Sequence, residues 1–312
     1  SIDSGGTNIR AFLFNKRGAI LARAVEKTPP LTPEEGAIEH DPMVLWQALK
    51  TVVGEILANP EYNVDEIAAI GITNQRASFC LWEKESGKPI TNLISWADVR
   101  ATEIAKKLNK IFKFKIIRGF TKFLSKFTKN PMINASSMVV IDTTHSETRL
   151  NWIFKKDPEI KARCERGELL FGTLDTWFIY NLTGKKHHYT DLSNASATGL
   201  YNHFQFKWNT IFMDIFDIPE NIFPEAKETI DNYGTTDKKL WGVEIPIKAV
   251  IGDQMAALVG HGCVNEGDVK ISQGSGSFVD VNVGHKAKFS KKGLLPMLAW
   301  KIQGKPTYLL EG

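Results

Sequence analysis

The first fourteen residues, SIDSGGTNIRAFLF, contain the end of a strand, a Gly-Gly turn and a second strand. Residues 10–14 and 19–24 are short apolar runs on either side of a Lys-Arg-Gly turn, which predicts a hairpin. Gly5 and Gly6 lack Cβ atoms, so backbone N–H groups in this turn can approach a phosphate closely. An ordinary hairpin turn uses the same glycines, and the motif alone supports both interpretations equally.

Polar side chains surround this turn. Asp3 stands at the end of the first strand, where its carboxylate would hold Mg²⁺ directly or through water. Thr7 adds a hydroxyl donor, and Arg10 would support the site from the next strand. If the turn binds phosphate, these residues are its expected partners.

A second hairpin with a similar turn occurs near residue 270. Residues 268–272 and 278–283 are predicted strands joined through Gly274-Ser275-Gly276. By itself this is more simply a plain turn. Two glycine-and-hydroxyl turns in one chain, however, are expected when two similar domains face one nucleotide.

Asp253 follows a predicted strand over residues 245–251 and begins an apolar helix that runs to Val259. A helix N-cap would be sufficient reason for an aspartate here. The alternative is a general base that takes a proton from an attacking hydroxyl, because open α/β sheets place active sites at the carboxyl ends of strands.

Other candidate substrate contacts also follow a strand. Gln75 and Arg76 come after a predicted buried strand at residues 67–72, and both could donate hydrogen bonds to hydroxyls. The alternative for Arg76 is a surface ion pair. Trp96 would form an apolar wall of a substrate pocket, or simply belong to the core.

The remaining pattern is mixed α/β. Asp41-Pro42 predicts a capped helix start, residues 78–82 and 169–172 predict strands, and a helix is expected from Asp175 to near Gly184. Apolar residues make up 43% of the chain, which allows a sizeable core. Three widely spaced cysteines suit a reducing compartment, so a cytoplasmic protein is expected.

One segment makes the chain basic. Residues 104–141 contain no Asp or Glu and nine Lys or Arg, so the net charge of +4 would be −5 without them (4 minus 9). Phenylalanines alternate with these lysines, and Phe120, Phe123 and Phe127 have helical spacing.

We expect the basic segment to form an inserted helical pair that packs its phenylalanines on the body. The alternative is a surface within residues 106–130 that weakly binds a membrane or an acidic partner. Nucleic-acid binding is not predicted, because no recognisable module is present.

Together these residues resemble the FGGY family of carbohydrate kinases, within it the glycerol kinases, and most of all the branch named glycerol kinase 5. The resemblance covers nearly the whole chain except the basic segment. The motifs that carry it are GITNQR at 71–76, WEKESGKP at 82–89, GELLFGTLDTW at 167–177, TDLSNAS at 190–196 and GDQ at 252–254, with SWADVR at 95–100 and LAWKI at 298–302 for the branch.

The resemblance implies an actin-like ATPase (ribonuclease H-like) fold, with two domains and a cleft between them. Residues 1–252 would form the FGGY N-terminal domain, with a basic insertion at about 106–130. Residues 253–312 would begin a C-terminal domain that is incomplete, so the chain is expected to be a fragment. Self-association is left open.

The resemblance also implies roles for single residues. ATP and Mg²⁺ would be bound, with a small polyol, glycerol first, as the phosphate acceptor. Asp253 would be the catalytic base. The substrate would contact Gln75, Arg76, Trp96, Asp253, Gln254 and Phe278. The phosphates would contact Gly6, Thr7, Asn8, Arg10, Gly274, Ser275 and Gly276, and Asp3 would serve the metal.

Two positions depart from the glycerol kinase pattern. Ala77 stands where these kinases usually have Glu, and Thr144 aligns with a Tyr. Loss of both hydroxyl partners would weaken substrate recognition by about 1–3 kcal/mol each. There are two alternatives to a glycerol kinase: a kinase for another small sugar or polyol, and a catalytically weak fold kept for partner binding.

Overall fold

A computed structural model of the chain describes residues 1–128, 130–138, 140–273, 277–290 and 293–312. The helices of this part of the chain are α1 (Pro42–Leu57), α2 (Thr102–Leu108), α3 (Phe112–Leu124), α4 (Pro131–Met138), α5 (Ser146–Lys156), α6 (Pro158–Glu165), α7 (Leu174–Leu182), α8 (Leu192–Ser196), α9 (Thr210–Phe216), α10 (Lys238–Trp241) and α11 (Asp253–Gly260).

The strands alternate with these helices and confirm the mixed α/β class. They are β1 (Ile2–Ser4), β2 (Asn8–Phe14), β3 (Ile20–Lys27), β4 (Glu39–His40), β5 (Ile70–Asn74), β6 (Phe79–Glu83), β7 (Leu93–Ile94), β8 (Leu169–Thr173), β9 (Tyr189–Asp191), β10 (Tyr201–Asn202), β11 (Lys207–Trp208), β12 (Glu225–Lys227), β13 (Ile247–Gly252), β14 (Val269–Gln273), β15 (Ser277–Gly284), β16 (Leu295–Ile302) and β17 (Lys305–Glu311).

The central sheet has five strands in the order β13-β5-β1-β2-β3. β1 pairs with β2 and β2 with β3 in antiparallel fashion, which confirms the predicted hairpin. β5 is parallel to both β1 and β13. The three parallel strands therefore end at the same edge of the sheet, and this edge carries the candidate site.

Helix α1 covers one face of this sheet. Asp41 caps it by accepting a hydrogen bond from the Met43 N–H, and Pro42 occupies the first turn, as predicted. Leu45, Leu49 and Val52 are completely buried against the sheet. Their i, i+4 and i+7 spacing places them on one stripe of the helix.

Besides two small sheets, β10-β11 and β12-β9, the described residues form two further sheets of four strands each. β4-β7-β6-β8 form one, and the antiparallel strands β14-β15-β17-β16 form the other. Met255 and Leu258 of α11 share an apolar cluster with Ala299 of β16 and Leu309 of β17. Helix α11 is thus packed on the last sheet as well as following the central one.

Two local predictions are corrected by the structure. The strand predicted at residues 67–72 begins only at Ile70, where its N–H donates to the Pro246 carbonyl and the pairing with β13 starts. Asp253 is not the N-cap of α11. Gly252 holds that position, and Asp253 is the first helical residue. Capping therefore does not explain why an aspartate is present at 253.

The basic segment is helical, as predicted, and contains α3 and α4, although α4 lies beyond the range 106–130 expected for the insertion. Its phenylalanines do not all pack on the body, however. Phe114 is 3% exposed, whereas Phe120, Phe123 and Phe127 are 61%, 59% and 75% exposed. The expectation that these rings are buried is wrong. Among the described residues, none of the helices is both long and apolar enough to cross a bilayer.

Candidate active site

The three parallel strands of the central sheet end level with one another. Ser4 of β1 and Gly252 of β13 are both in register with Asn74 of β5. The residues that follow these strands therefore lie side by side along the carboxyl edge. This edge unites three predicted groups: the Gly5-Gly6 turn, the pair Gln75-Arg76 and the pair Asp253-Gln254.

The glycine turn is closed by a hydrogen bond from the Gly5 N–H to the Asn8 carbonyl at 3.1 Å. The Asn8 side-chain amide donates to the Thr7 hydroxyl at 2.8 Å, which fixes both side chains at the tip. Gly6 and Thr7 are solvent-exposed. An exposed turn of this form offers its backbone N–H groups to an anion.

Asp3 and Arg10 face each other across β1 and β2, with Nη1 of Arg10 3.0 Å from the Asp3 carboxylate. Both side chains remain partly open to solvent, at 28% and 43% exposure. Mg²⁺ prefers carboxylate oxygens and usually binds through one or two carboxylates plus substrate phosphates. A partly exposed carboxylate beside the phosphate turn fits that requirement.

The second predicted turn, Gly274-Ser275-Gly276, lies outside the described residues. Its flanking strands are described: β14 and β15 pair in register up to Gln273 and Ser277. The predicted hairpin is thus confirmed on both sides of the turn.

Arg76 lies at the centre of the edge. Its side chain is 10% exposed, and Nη2 is 2.6 Å from a carboxylate oxygen of Glu311 in β17. Its aliphatic part crosses Gly252 closely, because a Cβ atom added at Gly252 would lie 2.6 Å from Arg76 Cδ. The absence of a side chain at 252 makes room for Arg76. The alternative of a surface ion pair for Arg76 is therefore wrong.

Asp253 stands next to Arg76, with 3.9 Å between Arg76 Nε and the Asp253 carboxylate. Burial raises the pKa of Asp253, while the positive charge of Arg76 and a hydrogen bond from the Gln254 N–H oppose that rise. The carboxylates of Asp3 and Glu311 raise the pKa further. A carboxyl group with a raised pKa, still 32% exposed, is suited to accept a proton.

Gln254 is oriented by the last sheet. Its Oε1 accepts a hydrogen bond from Nζ of Lys270 at 2.7 Å, and Lys270 is paired with Asp280 at 2.9 Å. Lys270 and Asp280 face each other across β14 and β15, and both side chains are buried. Because Oε1 faces Lys270, the amide NH₂ is the group of Gln254 that can donate to a substrate hydroxyl.

A cavity of about 200 Å³ opens between these residues and the last sheet. Trp96 and Phe278 form its apolar part, with ring centroids 6.2 Å apart in a nearly perpendicular arrangement. The other lining residues are Arg76, Ala77, Thr144, His145, Ala197, Asp253, Gln254, Leu295, Met297 and Glu311. The structure thus places five predicted substrate residues, Arg76, Trp96, Asp253, Gln254 and Phe278, around one small space.

Gln75 does not line this cavity. It is 2% exposed, and a Cβ atom at Gly6 would lie 3.9 Å from its Oε1. Within the described part of the chain, neither polar atom of its side-chain amide has a hydrogen-bond partner. An unsatisfied buried amide beneath the glycine turn is more consistent with a role near the phosphates than with direct contact to an acceptor in the cavity.

Arg149 was not predicted, although it organises the cavity wall. Its guanidinium is completely buried and donates to backbone carbonyls of Ala77, Ile94, Ser95 and Thr144 at 2.5–3.0 Å. Burial lowers its pKa to about 10. The role of Arg149 is apparent only from its burial and its backbone carbonyl partners. No pattern in the sequence indicates that these carbonyls surround it.

A buried polar network behind the edge was also missed. Asp191 accepts hydrogen bonds from the N–H groups of Ser193 and Asn194, and the Ser193 hydroxyl accepts one from the Gly252 N–H at 2.9 Å. Asn194 in turn exchanges hydrogen bonds with Asn74. The signal was the dense polar run at 190–196, since a buried polar run needs internal partners.

Comparisons with known proteins agree with this geometry. Residues 1–260 match the FGGY family of carbohydrate kinases, N-terminal domain. The chain is 37% identical over 312 residues to glycerol kinase 5 of Danio rerio and 40% identical to a glycerol kinase of Caldanaerobacter subterraneus subsp. tengcongensis. All of this chain aligns in both cases, and it spans 59% and 60% of the length of these relatives.

A solved structure gives the same result. The crystal structure of Plasmodium falciparum glycerol kinase with ADP superimposes with a TM-score of 0.86 at 30% identity, and the match covers all of this chain and 60% of that one. The strand ends, the glycine turn and the cavity described above therefore lie in a known architecture. The chain belongs to the FGGY family of carbohydrate kinases and has the actin-like ATPase fold of that family.

Proposed function

We propose that the protein transfers the γ-phosphoryl group of ATP to a small polyol, glycerol first, giving glycerol 3-phosphate. One observation carries the proposal: Asp253, Arg76 and Gln254 surround a cavity at the same sheet edge that carries Asp3 and the glycine turn. The glycerol kinases that match at 36–41% identity support glycerol as the acceptor. Because the chain spans about 60% of their length, the activity belongs to the complete protein.

In the proposed reaction, the acceptor lies in the cavity with its carbon skeleton against the rings of Trp96 and Phe278 and one hydroxyl beside Asp253. Arg76 and the Gln254 amide orient the hydroxyls. Asp253 accepts the proton as the hydroxyl oxygen forms a bond to the γ-phosphorus and the bond to the ADP oxygen breaks. The raised pKa of Asp253 makes it a stronger base than an ordinary aspartate.

The phosphates would lie on the exposed turn at Gly6 and Thr7, with Asn8 and Arg10 beside them. Asp3 is the residue that would hold Mg²⁺, which neutralises phosphate charge when it is bound. We propose the same phosphate-binding role for the turn at Gly274, Ser275 and Gly276. This role is supported by the position of β14 and β15, since Ser272 and Phe278 are paired residues of that hairpin and Phe278 lines the cavity.

Asp253→Asn in the complete protein tests the assignment. The neutral amide cannot take the proton, so we expect turnover of glycerol with ATP to fall by at least about a hundredfold. Thermal unfolding with and without ATP should show that the variant folds and binds nucleotide. Asp214→Asn, at an exposed position of α9, is the matched control. Turnover retained by Asp253→Asn would refute the role of Asp253.

The comparisons do not favour a second acceptor class, another small sugar or polyol, but Ala77 and Thr144 give a reason to test it. Both line the cavity, and the Thr144 hydroxyl already donates to the Asp142 carboxylate at 2.5 Å. A panel of polyols and sugars, with ATP consumption as the readout, distinguishes the two. If no acceptor is consumed and nucleotide causes no thermal shift, the fold serves partner binding instead.

Two further features of the complete protein are proposals. We place the boundary between an N-terminal and a C-terminal domain after Gly252, supported by the contacts of α11 with β16 and β17. We also propose a cytoplasmic location, which the three free cysteines support, because two of them, Cys80 and Cys164, are buried and unpaired.

A further inference from the structure

The inserted helix α3 has three distinct faces. Phe114, Ile117 and Thr121 form the inner face, at i, i+3 and i+7, and Phe114 belongs to the core cluster of α2 and α5. The inner face explains how the helix is attached to the body. It leaves two other faces in solvent.

The second face is an apolar stripe. Ile116, Phe120 and Phe123 follow one another at i, i+4 and i+7, and they are 53%, 61% and 59% exposed. Phe127, in the turn after the helix, extends the stripe, with its ring centroid 5.3 Å from that of Phe123. Four large apolar side chains in one exposed row are unusual on a protein surface and indicate a binding face.

The third face is basic. Lys115, Arg118 and Lys122 repeat at i, i+3 and i+7 and are exposed, and Lys126 follows in the turn. With about 100° per residue, this row lies about 135° around the helix from the apolar stripe and about 100° from the inner face. The two exposed faces therefore flank the direction that points away from the body. None of these four cations forms an ion pair with an acidic residue of the described ranges. Their charge is therefore available to an external anion.

We propose that the α3 stripe (Ile116, Phe120, Phe123 and Phe127) and its basic row dock on an anionic membrane surface. The rings would enter the boundary between headgroups and acyl chains, and the ammonium groups would meet the lipid phosphates. Residues 104–141 carry nine positive and no negative charges, which matches an anionic bilayer and opposes an ordinary mixed-charge protein partner. The inner face keeps the helix parallel to the protein surface, as interfacial docking requires.

Flotation of the complete protein with vesicles tests this proposal. Vesicles of phosphatidylcholine with about 30% phosphatidylserine should bind the protein, and pure phosphatidylcholine should bind at least about tenfold less. Salt of about 1 M shortens the Debye length to about 3 Å and should release most of the protein. No binding above the level of neutral vesicles would overturn the proposal.

Two sets of variants separate the contribution of the apolar stripe to vesicle binding from that of the basic row. Phe120→Ser, Phe123→Ser and Phe127→Ser together should lower vesicle binding at least about tenfold, and so should Lys115→Gln, Lys122→Gln and Lys126→Gln. Matched controls are the exposed Ile211→Ser, and a charge control of Lys16→Gln, Lys238→Gln and Lys239→Gln, which should leave binding unchanged.

We expect each variant to fold, because all the substituted side chains are exposed, and thermal unfolding checks this. If the serine variant binds vesicles like the parent, or if it only changes the oligomeric state, the stripe contacts protein and the proposal is wrong. Binding to duplex DNA or transfer RNA without binding to vesicles would also overturn it.

Discussion

Arg76 crosses directly over Gly252, so close that a Cβ atom on residue 252 would lie 2.6 Å from Arg76 Cδ. This crossing places the guanidinium between Asp253 and Glu311. Gly252 has an extended backbone with φ of −62°, so any residue could adopt its conformation. The glycine is therefore needed for space, and this distinction leads to the first prediction.

Gly252→Ala should displace Arg76 while the backbone stays in place. We expect kcat/KM for the acceptor to fall by about ten- to a hundredfold, since a misplaced group of about 1 Å has such effects. Steady-state kinetics of the complete protein measure this. Gly71→Ala in β5 is the control, because its nearest atoms lie at an ordinary 3.9 Å and activity should persist. An unchanged kcat/KM in Gly252→Ala would show that Arg76 can move freely.

Arg149 supports three segments of the cavity wall through backbone carbonyls. Arg149→Met removes donors from the buried carbonyls of Ala77, Ile94, Ser95 and Thr144. The Ser146 hydroxyl still donates to the Ala77 carbonyl and the Asp98 N–H to that of Ser95, so each of these two keeps one of its two donors. We expect the free energy of unfolding to fall by about 3 kcal/mol or more. Urea unfolding measures this loss.

Arg149→Lys retains the charge but not the fork of donors. It should recover only part of the stability, and it should raise KM for the acceptor more than it lowers kcat, because the wall changes and Asp253 does not. Full recovery by lysine would mean that charge alone is required at this position.

Ala77 gives a test of acceptor recognition. It lines the cavity, has a left-handed backbone with φ of 59°, and its carbonyl is held by Ser146 and Arg149. Ala77→Glu would put a carboxylate acceptor into the cavity, so we expect KM for glycerol to fall about tenfold, equivalent to about 1.4 kcal/mol. Ala77→Gln is the uncharged control and should give a smaller effect. A KM that rises for glycerol but falls for a larger polyol would favour the second acceptor class.

Glu147 should make stability depend on pH. Burial raises its pKa to about 7, an effect that the charges of His145 and Arg149 oppose and that of Asp142 increases. A carboxyl with a raised folded-state pKa stabilises the fold fully below its unfolded value of about 4.5, and this contribution is lost as pH rises through about 7.

Glu147→Gln removes that loss. As pH rises from about 4 to about 8, the free energy of unfolding of the variant should increase by roughly 1–3 kcal/mol relative to that of the parent protein. Thermal or urea unfolding across this range measures the shift. Asp191, whose pKa burial also raises to about 7, is present in both proteins and cancels in the difference. Parallel stability curves would contradict the prediction.

Local signals predicted well what depends on neighbours in the chain. Asp41 and Pro42 start α1 as expected, since capping and the first-turn proline act within a few residues. The hairpin of β2 and β3 was also predicted correctly. The same holds for the pairing of β14 with β15, whose connecting turn lies outside the described residues. Strand starts were less accurate, because Ile70 and Ile247 begin their strands where pairing between distant segments begins.

Exposure was harder to predict than helicity. The spacing of Phe120, Phe123 and Phe127 fits a helix but is the same for a buried and an exposed stripe. Which stripe of α3 faces the body depends on where Phe114 meets the core, and that contact involves residues far along the chain. The packing expectation therefore failed while the helix itself was correct.

Local sequence patterns were enough to predict the mixed α/β class, the glycine turn, the helix starts and the candidate residues Asp3, Arg76 and Asp253, because turn chemistry, capping and periodicity are local properties. Three relations are visible only once the chain is folded: β1, β5 and β13 end in register, Gly252 makes room for Arg76, and Arg149 is buried among carbonyls. Those relations join residues up to 235 positions apart, as in the pair of Arg76 and Glu311. Distances of that kind are fixed by packing and strand pairing, which no local pattern of residues contains.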